Sequence, residues 1–152
     1  MKLSLTMIAL LLAGAGLSAQ TTGFPFFNDY TINGSVSGST SCTNVTIVLP
    51  SLLSFDVQTA GPGRTVWILA HLTSPCTPNS LGGFFCQGTT FDLNPIGVNI
   101  NPVPITNAAG LTNLTLFAPA FLAPLDFSTQ ALIFEPGCPA PLFTQAYDVN
   151  LI

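Results

Sequence analysis

Alternating apolar and polar positions recur along the chain and predict short β-strands. In residues 52–59 three apolar positions alternate with three polar ones: Leu53, Phe55 and Val57 against Ser54, Asp56 and Gln58. Successive side chains of a strand point to opposite faces, so this pattern predicts a strand with one buried face and one wet face. Residues 114–118 repeat the alternation and predict a second strand of this kind.

The run from Arg64 to Leu72 is apolar on both faces of a strand. It follows the turn signal Ala60-Gly61-Pro62-Gly63. A strand of this kind is typically central, with its second face covered by other secondary structure, by a loop or by another subunit. A short buried helix fits the run by length, but the turn before it and its β-branched residues favour a strand.

Two apolar runs close the chain, at residues 127–135 and 142–152, and a proline-rich turn at residues 136–141 separates them. This arrangement predicts a β-hairpin. Both runs contain the tripeptide Thr-Gln-Ala, beginning at Thr129 and at Thr144. We interpret the repeat as the chemistry of paired strands rather than as an active site.

Five further short runs are strand candidates: residues 30–36, 45–50, 88–95, 98–102 and 103–106. Prolines 95, 102 and 104 keep the last three short and near a sheet edge. The chain beyond residue 19 has no apolar period of helical length. Eight or nine short strands separated by turn signals predict an all-β fold, an antiparallel β-sandwich held together by disulfides.

The N-terminus predicts export. Lys2, the apolar run 3–12 and the small residues up to Ala19 form a signal peptide, residues 1–19, cleaved after Ala19. Residues 20–30 are an aromatic tail that either packs on the domain or adds to the sheet of another copy, and residues 31–152 are one sandwich domain. The predicted location is extracellular or the cell surface, with no membrane span after signal removal, because the apolar run is shorter than the ~20 residues that a span needs.

The chain carries very little charge. Charged residues make up 5% of it, against about 25% in an ordinary soluble domain. Loss of Lys2 with the signal peptide leaves Arg64 against six acidic residues, which excludes nucleic acid as a partner because nothing neutralises phosphates. Charge also protects sheet edges and apolar patches from association, so its scarcity predicts self-association or attachment to a cell surface or matrix.

The four cysteines, Cys42, Cys76, Cys86 and Cys138, predict two disulfides in an exported chain. Three pairings are possible, and the sequence alone does not choose among them. The short loop between Cys76 and Cys86 favours a local bridge, which leaves Cys42 with Cys138 and ties the front of the domain to the closing hairpin. A metal site is not expected, because the chain has no Cys-x-x-Cys pair.

No catalytic set stands out, and no cofactor is expected. His71 is the only histidine and would have to serve any Ser-His-Asp triad, but no nucleophile-elbow motif accompanies it. Six acidic residues are spread along the chain and are interpreted as turn and edge residues: Asp29, Asp56, Asp92, Asp126, Glu135 and Asp148. A hydrolase centred on His71 is the least favoured hypothesis.

Exposed aromatic residues suggest another class of function. Trp67, Phe84 and Phe85 could stack on sugar rings, which would make the protein a carbohydrate-binding module with a glycan partner. Aromatic residues of a sandwich more often fill its core. The leading hypothesis is therefore a secreted, non-catalytic sandwich that acts by association, as a surface, matrix or filament component.

Three segments resemble a group of small exported bacterial β-sandwich proteins. They are the turn and strand from Gly61 to Leu72, the turn Thr106 to Gly110 with the strand to Pro119, and residues 127–136 with the ending Asn150-Leu151. Such domains occur in many copies in some genomes and as C-terminal modules of longer secreted proteins. This chain has Asn107 and Glu135 where the group often has Asp. The group has no established activity, so the resemblance implies a fold and a compartment only.

Overall fold

The computed structural model describes residues 28–35, 42–82 and 85–152. The predicted signal peptide and residues 20–27 of the predicted tail lie outside these ranges. Eight strands follow one another in the described residues: β1 Asp29–Ile32, β2 Thr43–Ile47, β3 Ser51–Gln58, β4 Thr65–Leu72, β5 Asn99–Pro102, β6 Leu111–Ala118, β7 Leu125–Phe134 and β8 Leu142–Leu151. Two short 3-10 turns, Cys86–Gly88 and Ala120–Leu122, are the helical elements of this part of the chain.

The strands form two sheets that pack together, so the predicted all-β sandwich is confirmed. The three-stranded sheet has the order β1-β3-β6, and the five-stranded sheet has the order β2-β8-β7-β4-β5. Neighbouring strands are antiparallel except β2 and β8, which run parallel with Thr43 opposite Tyr147. The closing hairpin is confirmed as β7 and β8 at the middle of the larger sheet.

The main core lies between the two sheets. On β3 the inward residues Leu53, Phe55 and Val57 are buried, while the residues between them are half-buried, so the predicted wet face is confirmed. Phe55 meets Phe127 of β7 across the core, with ring centroids 6.5 Å apart. Burial of such side chains stabilises the fold by about 1.5–3 kcal/mol each.

The described parts of the connection between β4 and β5, residues 73–82 and 85–98, cover the other face of the five-stranded sheet. We call it the covering layer. Phe91 and Leu93 of this layer form a second apolar cluster with Leu69 of β4 and Phe143 of β8. Strand β4 is therefore covered on both faces, as its apolar pattern predicts, and the cover on the second face is a loop of the same chain.

Two strand predictions are wrong. Residues 88–95 belong to the covering layer, and residues 103–106 form no strand. Residues 103–106 follow β5 and still run beside β4, where Val103 N donates to Val66 O and Thr106 N donates to Arg64 O. Strand β5 itself is four residues long and lies at the edge of its sheet, as its prolines predict.

The favoured disulfide pairing is also wrong. The bridges join Cys42 to Cys76 and Cys86 to Cys138, with Cα atoms 5.4 and 5.7 Å apart. Cys138 therefore fixes the closing hairpin to the covering layer and not to the front of the domain. The separations of 34 and 52 residues correspond to about 4 kcal/mol of loop-closure entropy for each bridge.

Docking of the covering layer explains this pairing. Cys42 N donates to Ala146 O, and Cys76 N donates to the carboxylate of Asp148, so both cysteines lie beside β8. Cys86 N donates to Pro141 O and lies beside the hairpin turn that carries Cys138. The loop between Cys76 and Cys86 is short in sequence, but its two ends dock at different places on the sheet.

The disulfides also bear on the compartment, since bridges of this kind form and persist in oxidising environments. Within the described ranges, no helix has the length and apolar character needed to cross a membrane.

Candidate functional site

The repeated Thr-Gln-Ala tripeptide holds three layers together. Gln130 of β7 is fully buried and points to the covering layer. Its Nε2 donates to Thr90 O (2.9 Å) and to Thr144 O (2.8 Å), and its Oε1 accepts from Asp92 N (3.0 Å). The side chain of Gln130 thus fastens the covering layer to the five-stranded sheet.

The second glutamine of the repeat serves the opposite face. The register between β7 and β8 shifts between Gln130 and Leu132, so that Thr144 and Gln145 both lie opposite Ala131. This β-bulge turns Gln145 inward, where its Nε2 donates to Tyr30 O and to Asp29 Oδ1 (3.2 Å) of the three-stranded sheet. The repeat is therefore structural, in agreement with its interpretation from sequence.

Tyr30 shows how closely the two sheets are joined. Its ring is fully buried and packs edge-on against Tyr147, with centroids 5.7 Å apart. Its hydroxyl hydrogen-bonds Thr129 Oγ1 at 2.7 Å. Burial raises the pKa of Tyr30 well above its usual range, because the phenolate would lose its hydration. The group stays neutral and acts as a structural hydrogen-bonding residue.

The predicted stacking residues lie at the rim of the covered face. Trp67 is half-buried, and its ring packs edge-on against Phe134 with centroids 5.0 Å apart. Phe85 is also half-buried and packs edge-on against Phe143 at 4.7 Å. Phe84 lies outside the described residues. The structure thus brings Trp67 and Phe85 to one apolar cluster, and glycan stacking on them stays a prediction.

His71 lies in β4 on the face under the covering layer, and its side chain is buried. Its Nε2 donates to Ile96 O at 2.7 Å, since a carbonyl can only accept. Its Nδ1 is buried and has no hydrogen-bond partner within the described ranges. In that part of the chain neither a serine hydroxyl nor a carboxylate bonds to the ring, so no triad is assembled around it.

Two of the six acidic side chains, Asp92 and Glu135, are held in fixed structural contacts. Asp92 is fully buried and accepts from Asn79 N (2.6 Å) and Thr90 Oγ1 (2.8 Å) inside the covering layer. Glu135 accepts from Nε and Nη2 of Arg64 at 3.0 and 3.1 Å, which joins the start of β4 to the end of β7.

The fold brings the remaining acids together in two pairs. Asp29 and Asp56 line a shallow cleft on the three-stranded sheet, and Asp126 and Asp148 line a second cleft beside β2. Within the described ranges, no three side chains of the His, Cys, Asp and Glu types are grouped to hold a metal ion.

The solvent face of the three-stranded sheet carries large apolar side chains. Leu52 of β3 and Phe117 of β6 lie directly opposite each other on this face. They are 61% and 67% exposed. Phe121 follows β6 in the next turn and is 83% exposed. We call Leu52 and Phe117 the apolar pair.

Among the residues that the structure describes, no charged side chain lies beside the apolar pair on this face. The acids of the same face, Asp29 and Asp56, lie toward its opposite end, in the cleft that Leu111 also lines. Strand β6 has no charged residue and no proline along its eight positions. The candidate functional site is therefore this uncharged end of the three-stranded sheet, together with the free edge of β6.

Leu52 and Phe117 are not among the functional residues predicted from the sequence, although the sequence contains a pattern that indicates them. Phe117 occupies the polar side of the alternation in residues 113–118, where Asn113 and Thr115 precede it. Leu52 likewise shares its side of β3 with Ser54 and Asp56. A large apolar residue on the wet side of two paired strands indicates an interaction surface.

Comparison of the chain with protein-family models, with curated proteins and with solved structures finds no match.

Proposed function

We propose that this protein is an exported, non-catalytic β-sandwich that acts by association with copies of itself, as a component of an extracellular surface, matrix or filament. The observation that carries the proposal is the exposed apolar pair, Leu52 and Phe117, on a face where no charged residue of the described part of the chain adjoins it. Exposed apolar surface that charge does not protect favours association.

The use of the polar side chains supports a non-catalytic role. Gln130, Gln145 and Asp92 are fully buried and fasten one layer of the fold to another or hold the covering layer. Glu135 is held by Arg64, and His71 by a backbone carbonyl. Polar side chains held by hydrogen bonds in this way stabilise the fold, and a surface or filament component needs a stable fold.

Export is supported by two independent features. The two disulfides are typical of proteins that fold outside the reducing cytosol. The predicted signal peptide at residues 1–19 would deliver the chain there.

Light scattering on the chain purified after export tests the proposal. We expect oligomers at tens of micromolar, and we expect them to persist at high salt because few charges are present to be screened. Added sulfate should strengthen the association, since it favours apolar burial. A monomer across this concentration range would contradict self-association.

Two variants locate the contact. Replacing the apolar pair by polar residues, Leu52→Asn with Phe117→Thr, should weaken the association. The matched control is Ile96→Thr in the covering layer, which removes an apolar side chain that is 82% exposed elsewhere on the surface. An equal loss in both proteins would contradict a specific role for the apolar pair.

A further inference from the structure

Among the described residues, strand β6 is one of the two edge strands of the three-stranded sheet, and its hydrogen-bonding pattern shows which of its backbone groups face away from β3. Thr59 N donates to Gly110 O at 2.8 Å, in line with the register between β3 and β6. Opposed residues of antiparallel strands alternate between pairs that exchange two hydrogen bonds and pairs that exchange none. Every second residue from Gly110 therefore bonds to β3, and the intervening residues point their N–H and C=O groups to the free edge.

Leu111 agrees with this assignment. Its N–H donates to Asn107 Oδ1, and its C=O accepts from Asn107 N–H, both at 3.0 Å and both away from β3. The next outward residues are Asn113, Thr115 and Phe117. In the described part of the chain, no backbone hydrogen bond uses their groups on the free side.

The other sheet edges are less open to a further strand. Strands β1 and β5 are four residues long, and β5 ends at Pro102. Strand β2 is five residues long and begins next to the disulfide of Cys42. Short strands, prolines and charges are the usual protection of a sheet edge, and β6, with eight residues, has none of them.

We propose that two copies pair antiparallel along β6, with Thr115 of one copy opposite Thr115 of the other on a two-fold axis. This inference rests on the proposed function and names its contact. In this register all three outward residues find partners, Thr115 with Thr115 and Asn113 with Phe117 in both directions. Each pair exchanges two hydrogen bonds. The two three-stranded sheets become one continuous sheet of six strands.

The same register buries the inward side of β6. Leu116 lies opposite the core residue Leu53 and so points between the sheets, yet it is 49% exposed because β6 lies at the edge. In the pairing, Leu116 lies opposite Leu114 of the second copy, in the closer type of antiparallel pair. Two leucine contacts form, one on each side of the axis.

The ends of β6 match this length of pairing. Leu111 of one copy would lie opposite Pro119 of the other. Proline has no N–H to donate, and the backbone groups of Leu111 are already bonded to Asn107. The pairing therefore ends where neither strand has free groups to offer. No charged residue lies in β6 to repel its symmetry mate.

Charge substitution at the axis tests the proposal, because each copy places the same residue there. Thr115 is exposed, so Thr115→Lys and Thr115→Glu should each fold normally, which circular dichroism and thermal melting check. Like charges opposite each other should raise the dissociation constant of each variant by about tenfold or more. An equimolar mixture of the two variants should associate again as a heterodimer, at least as tightly as the wild type.

Thr46→Lys is the matched control, since Thr46 is an exposed threonine on β2, an edge strand of the other sheet. It should leave the association unchanged. If both Thr115 variants associate as tightly as the wild type, the edge pairing is overturned and the proposed function stands. Variants that both dissociate but fail to recombine would overturn the two-fold register. A monomeric wild type would overturn the proposed function itself.

Discussion

Replacing Gln130 by methionine should weaken the fold more than its single buried amide suggests. The side chain of Gln130 makes three hydrogen bonds, one to the carbonyl of Thr144 in β8 and two to the covering layer at Thr90 and Asp92. Methionine is unbranched and of similar length, so Gln130→Met fills the same space and removes the polar contacts alone.

The expected loss follows from these contacts. A protein hydrogen bond contributes about 1 kcal/mol net, and a buried group that loses its bond costs about 1–3 kcal/mol. The three partner groups that lose their bonds cost about 3–9 kcal/mol together, and burying a more apolar side chain offsets roughly 1 kcal/mol, which gives a loss of about 2–8 kcal/mol. A small domain has about 5–15 kcal/mol of stability in total, so this single change should consume a large part of it.

Urea unfolding followed by tryptophan fluorescence measures this loss. Trp67 is the only tryptophan, and it packs on the face that Gln130 helps to cover. Hydrogen exchange provides a local measurement: the amide proton of Asp92 should exchange faster in the variant, because Gln130 Oε1 accepts it in the wild type. The matched control is Gln58→Met on β3, at a half-exposed position, which should change the unfolding free energy by no more than about 0.5 kcal/mol.

A loss below about 1 kcal/mol in Gln130→Met would refute the reasoning, because three buried hydrogen bonds would then contribute no more than one. A large loss with unchanged exchange at Asp92 would also contradict it. The lost stability would then come from a part of the fold other than the contact between Gln130 and the covering layer.

Three further predictions concern the turn before β6, the buried tyrosine and the disulfides. Gly110 has a φ of +75°, and a Cβ there would lie 2.7 Å from Thr59 O. Gly110→Ala should therefore lower the unfolding free energy by about 3 kcal/mol, against about 1 kcal/mol for Gly137→Ala, where φ is also positive but no atom lies within contact. Equal losses in urea titrations would contradict the clash. The raised pKa of Tyr30 means that its contribution to stability is complete below about pH 10 and falls above it by up to about 1.4 kcal/mol per pH unit. Tyr30→Phe should flatten that fall, and an unchanged slope would assign it to another group. Replacing either disulfide by a pair of serines should cost about 4 kcal/mol, and a non-reducing peptide map should show the two observed bridges and no others.

Local pattern was sufficient for much of the fold. The alternation in residues 52–59 predicts one buried and one wet face, and the side chains of β3 alternate in burial in the same way. The run ending at Leu72 is apolar on both faces and therefore predicted that both faces are covered, and both faces of β4 are covered. These features depend on the two-residue period of a strand, which the sequence contains in full.

The cysteine pairing shows where local pattern is insufficient. The distance between Cys76 and Cys86 along the chain favoured a bridge, yet the covering layer places them beside different partners at β8 and at the hairpin turn. A bridge forms between cysteines that the folded chain brings within about 4.4–6.8 Å, and only long-range docking decides which these are.

The sequence by itself determined most of the strands, the buried faces of β3 and β4, the scarcity of charge and the presence of two disulfides. Only the tertiary structure decided that the two Thr-Gln-Ala repeats face opposite layers, since one β-bulge opposite Ala131 separates their orientations. It also decided that Leu52 and Phe117 meet on an open face and that β6 is a free edge. Strand order sets which backbone and side-chain groups remain unpaired, and strand order is a property of long-range pairing that no local pattern contains.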